Sequence, residues 1–187
     1  TVMDATIGIV LSNADRNILD GNTVTNINLP ISSPTVGISI PEFAGSAIIL
    51  RASHNNTLTN NNASAAYYGI RVNESDYNLL RDNVVNSNIF VGLSVESASV
   101  GTTLRNNSAD ANEGNGILLD SAVQTIITNT TARQNGGWAF VSQGGSDTNQ
   151  VRNLEIGSST APGTTLTFEQ SRDIALNAVS DPPLDTP

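Results

Sequence analysis

Two carboxylates occupy matching points of the chain. Glu96 follows the short run Gly92-Leu93-Ser94-Val95, and Asp120 follows Gly116-Ile117-Leu118-Leu119. Carboxylates brought side by side can share a cation such as Ca²⁺, or divide the acid and base roles of glycoside chemistry. The competing reading is a solvated acidic edge, because calcium normally takes several more oxygen ligands. Glu96 and Asp120 are thus the candidates for catalysis and for calcium; no other cofactor is expected. His54 falls at the same kind of bend as Asp15 and Asp76. A His between carboxylates can act as a ligand or a base, and a solvated turn side chain is the simpler alternative. Tyr67, Tyr68 and Phe90 stand just before two of the apolar runs. Rings in that place can stack on sugars, or merely rigidify a bend. A further set, Asp20, Arg81, Arg105 and Arg152, recurs at another position, with Asp82 beside Arg81. Asp110 and Arg133 read as an ion pair between successive repeats. A polysaccharide lyase would want an Arg base beside its acidic cluster, and here the two sets fall on different elements. That argues against catalysis.

These residues are positioned by an internal repeat. A small residue followed by apolar–x–apolar opens each unit, ending in turn at Leu11, Leu50, Val72, Val95, Leu119 and Val141, with steps of 39, 22, 23, 24 and 22 positions. Two shorter elements follow each time. They form a second column, Leu19, Leu58, Leu80, Leu104, Ile127 and Val151, and a third, Val24, Ala63, Val85, Ala109, Ala132 and Ile156. Apolar elements this short, broken by Asn and Gly, exclude a helical period and fit strands separated by turns. Three strands per unit describe a coil that hydrogen-bonds to the next at about 4.8 Å, giving a rod of roughly 30 Å. One coil cannot bury its apolar column alone, so several must stack. Asn tolerates left-handed backbone and bonds nearby peptide groups, which suits Asn17, Asn56, Asn78 and Asn149 to the bends. In this register Val10, Ile49, Leu118 and Phe140 point away from the core, as do Ile18, Leu79 and Ile126. Apolar outward columns suggest cover by another part of the chain or by a partner.

Composition sets the outer limits. The chain has 187 residues, a net charge of −9, one His, one Met and no Cys, and its eight basic residues are all Arg. A phosphate-binding basic patch is excluded, as are disulfides and thiolate metal sites. No apolar run is long enough to span a membrane.

The pattern G-I-x-L followed by N-x-I and N-x-I resembles the right-handed parallel β-helix repeats of NosD-like proteins, related to the pectate-lyase-type superfamily, over residues 7–157. The resemblance implies an all-β, single-stranded parallel β-helix of six to seven coils. It says little about activity, since such repeats serve lyases, hydrolases, epimerases, adhesins and scaffolds. The family name implies copper delivery, but copper wants Cys, Met or His, which this chain scarcely has. The acidic, Lys-free composition and Pro-rich ending resemble surface proteins of salt-loving archaea. One domain, 1–179, is expected, with an insertion near 29–46, capping strands within 164–179 and a Pro-rich linker at 180–187. The start at Thr1, without Met, reads as a segment of a larger protein. The expected function is a non-catalytic extracellular or cell-surface module, structural, adhesive or carbohydrate-binding. Its partners would be glycans, or other copies of itself or of the parent protein. The alternatives are a polysaccharide-active enzyme and a protomer segment of a fibre or spike.

Overall fold

The repeat winds as expected. The computed structural model describes residues 1–28 and 43–156, together with the backbone of Leu166–Phe168 and Ala175–Ser180. The first strands of successive windings are β2 (Ile9–Ser12), β5 (Ser46–Arg51), β7 (Tyr68–Asn73), β9 (Val91–Glu96), β11 (Asn115–Asp120), β13 (Phe140–Gln143) and β15 (Leu166–Phe168). They pair in that order into one seven-stranded parallel sheet. The second strands form another: β3 (Ile18–Asp20), β6 (Thr57–Thr59), β8 (Leu79–Arg81), β10 (Thr103–Arg105), β12 (Ile126–Ala132), β14 (Gln150–Ile156) and β16 (Ala175–Ser180). A third side is marked by β1 (Val2–Met3) on β4 (Val24–Thr25), and by single bridges running Thr23, Asn62, Val84, Ser108 and Thr131. The whole is a parallel β-solenoid of about six turns, all-β, with no helix among the described residues.

Like residues lie over one another. Leu19, Leu58, Leu80, Leu104, Ile127 and Val151 pair in direct succession, and all are buried in one core. The third column, from Val24 to Ile156, is buried in the same tube. The first column holds from Leu11 to Leu119 but then shifts: Leu119 pairs with Ser142, and Val141 with Leu118. Phe140 therefore faces inward, fully buried above Ile117, and does not belong to the outward surface. Ser142 misled the alignment, because a small hydroxyl residue fills a core position without an apolar signature.

Asparagine ladders tie the windings together at three bends. The backbone N–H and side-chain amide of Asn17 both donate to Oδ1 of Asn56, at 2.8 and 3.1 Å, and Asn56 donates likewise to Asn78. A second ladder runs from Asn22 through Asn61 and Asn83 to Asn107. A third links Asn88, Asn112 and Asn135. The left-handed backbone lies one residue earlier than expected, at Arg16, Asn55, Tyr77 and Thr148, and Asp82 and Ser87 take the same place before Asn83 and Asn88. The ladder asparagine spans windings, and its predecessor makes the bend.

At the end of the chain, β15 and β16 continue both sheets in parallel register as a further winding. Of the expected insertion, only Phe43–Ser46 falls among the described residues, and 181–187 lies outside them.

Candidate functional site

The outward face of the first sheet gathers the chain's most chemically varied side chains. Its first outward row is Val10, Ile49, Arg71, Ser94, Leu118 and Val141; its second is Ser12, Arg51, Asn73, Glu96, Asp120 and Gln143. Within β9, at Gly92, a Cβ would lie 2.8 Å from the Val85 carbonyl oxygen and 2.9 Å from that of Gly116, so only glycine lets the strand lie this close to its neighbours. Tyr67 and Phe90 stand immediately before β7 and β9, and Tyr68 opens β7, which places the three rings together at the rim of the face.

The three rings touch. Tyr67 and Phe90 are parallel, 3° apart with centroids at 5.7 Å, and Tyr68 meets each edge-on at 5.2 Å. Phe90 keeps 44% of its surface exposed. The Arg71 guanidinium lies 4.4 Å from the Tyr68 centroid and 5.7 Å from that of Phe43, which also carries Arg51 at 5.3 Å. Such cation–π contacts strengthen as water is withdrawn. Arg71 Nη2 donates to Glu96 Oε2 at 2.8 Å, and these side chains retain only 12% and 15% of their exposure. Burial pushes the Tyr68 phenol above its ordinary value; nearby Glu96 adds to this and Arg71 opposes it. The Arg71 Nε and the Ser94 hydroxyl, neighbours in register on this face, are buried without a hydrogen-bond partner among the described residues.

The candidate carboxylates are adjacent but separately held. Glu96 pairs with Asp120 in register, yet Glu96 is bound to Arg71, while Asp120 accepts from Gln143 Nε2 at 3.0 Å and from the Ser121 hydroxyl at 3.2 Å. Arg71 and Glu96 escaped the reading by columns because they are a diagonal pair, one winding plus two residues apart. The expected partner surface contracts as well. Val10 is exposed, but Ile49 is fully buried and Leu118 nearly so, with Tyr68 and Trp138 packed against Val91, Leu118 and Val141.

Elsewhere the charged columns are structural. His54 donates its backbone N–H to Asp15 Oδ1 at 2.7 Å, and its Nδ1 accepts the Asp76 N–H at 3.0 Å. Arg81 pairs with Asp82 at 3.0 Å. The Arg133 side chain pairs with Glu155, not with Asp110, which instead accepts the Arg133 backbone N–H at 2.7 Å. No group of three or more His, Cys, Asp or Glu side chains converges on a metal position among the described residues.

A parallel β-solenoid with a polar and aromatic outer face defines the class. Within it the chain belongs to the NosD family, described as periplasmic copper-binding protein, which matches residues 40–181. No curated protein matches the chain. Among solved structures it is similar to a double mutant of the periplasmic alginate epimerase AlgG, with TM-score 0.73 and 14% identity over 97% of this chain and 49% of that one. It is also similar to the enzymatically active domain of bacteriophage CBA120 tailspike protein 2, with TM-score 0.60 and 10% identity over 88% and 31% of the two chains. At such identities the likeness concerns fold, and the chain spans about half the length of the epimerase. The family's copper does not fit the residues present. With one His, one Met and no Cys, the soft donor set is missing, and His54 Nδ1 is already engaged by the backbone.

Proposed function

We propose that this chain is a non-catalytic, extracellular or cell-surface carbohydrate-binding module, with Tyr67, Tyr68 and Phe90 as its sugar-stacking ledge. The observation that carries the reading is the exposed Phe90 ring, backed in parallel by Tyr67 and braced edge-on by Tyr68. A flat ring held rigidly beside polar groups suits the C–H face of a pyranose. The non-catalytic part is supported by the engagement of Glu96 with Arg71 and of Asp120 with Gln143, which ties the two carboxylates to separate partners. Similarity in fold to an alginate epimerase agrees with a glycan partner. A glycan array with wild type and Phe90→Ala tests it: bound glycans should be lost, or weakened at least tenfold, in the variant. A monodisperse monomer by light scattering that binds no glycan overturns it.

The adjacency of Glu96 and Asp120 on the outward face favours a second reading, a polysaccharide-active enzyme. Measured glycan cleavage that survives both Glu96→Gln and Asp120→Asn dismisses that use of the pair. A fibre or spike segment is the third, and concentration-dependent assembly in the same light scattering would support it.

A further inference from the structure

Resting on the ledge reading, the geometry points to a neutral, hydroxyl-rich glycan as its ligand class, with the Arg71–Glu96 pair as the determinant that rejects polyuronates. An arginine beside stacking aromatics would ordinarily invite a carboxylate, in a bidentate grip. Here that grip is already taken. Glu96 occupies Nη2 of Arg71 at 2.8 Å, and Tyr68 and Phe43 lie against the guanidinium.

A uronate carboxylate approaching Arg71 would meet Glu96 at nearly the same distance, so attraction and repulsion cancel. Asp120 stands one winding on and Arg51 one winding back. The face therefore holds two guanidiniums and two carboxylates and is neutral, on a chain of net charge −9 that repels polyanions at long range.

The experiment is affinity electrophoresis of the whole chain against a panel of neutral polysaccharides and against alginate and polygalacturonate, at low salt. Wild type should be retarded by at least one neutral glycan and by neither polyuronate. Glu96→Gln frees the guanidinium and should gain polyuronate retardation at least tenfold, abolished by salt. Asp120→Asn, which leaves the pair intact, should gain much less and serves if the first variant fails to fold. Polyuronate binding by wild type that Phe90→Ala removes overturns the inference while sparing the ledge. So does a folded Glu96→Gln variant with no polyuronate gain. Retardation by no glycan of either class overturns the ledge reading and this inference together.

Discussion

The two seven-stranded sheets share windings and strand count, yet they have become different surfaces. In the second sheet the early strands are three residues long, and outward apolar positions meet water: Ile18 in β3 is 76% exposed and Ile126 in the longer β12 37%. Its charges are settled locally. Asn60 and then Thr59 donate to the Asp20 carboxyl and hold it below the usual range, and Arg81 finds Asp82. In the first sheet most strands are six residues long, and the middle of the outward row is withdrawn from water, with Ile49 and Ser94 fully buried while Val10 stays exposed. Chemistry concentrates where the strands are long. The other sheet serves as scaffold.

The contrast can be attacked first at the scaffold. Asn83→Ala removes the acceptor of the Asn61 N–H and the side-chain donor to the Leu58 carbonyl, and takes from Asn107 Oδ1 one of the two hydrogens it accepts. Each buried group left unpaired costs about 1–3 kcal/mol, so denaturant unfolding should show a loss of about 3 kcal/mol or more. A loss below about 1 kcal/mol would mean that the ladders do not hold the windings.

On the specialised face, Arg71→Met strands a nearly buried Glu96. A loss of about 2–3 kcal/mol is expected, near the low end for breaking a buried pair, and the double variant with Glu96→Gln should recover most of it. Equal losses in single and double variants would show that Arg71 acts by packing alone.

A smaller effect separates the sheets by pH. The raised Tyr68 value favours the neutral phenol in the folded state, so its contribution is whole below the ordinary tyrosine value of about 10 and fades as pH climbs through the raised one. Tyrosinate absorbance should show a late-ionising component that Tyr68→Phe removes. Its persistence in that variant would contradict the burial described for the ring.

The smallest effect belongs to Arg105→Ala on the second sheet. Stability should change by no more than about 0.5 kcal/mol and glycan retention not at all. A fall in retention would mean that the second sheet also binds.

The fold was legible because core columns repeat in apolarity at fixed steps, and Leu58, Leu80 and Leu104 announce themselves. Register was lost where Ser142 fills a core position. The rim aromatics were legible as types near strand starts. The Arg71–Glu96 pair was not, since comparing like positions hides diagonal neighbours. The division of labour at the bends was also hidden: left-handed geometry sits on Arg16, Tyr77 or Thr148, residues without any turn signature. Periodic tertiary pairing imposes that conformation over local preference.

The asparagine ladders are directional, each amide oxygen receiving hydrogens from the winding before and each N–H giving to the winding after. An interior winding thus brings one full complement of donors and acceptors and leaves the arrangement at its borders unchanged. Whole units, 22 or 24 residues at the Asn56–Asn78 and Asn83–Asn107 steps, can be duplicated or excised by recombination with no dangling bond at the seam. Rod length becomes a heritable copy number, adjustable without rewriting any single residue.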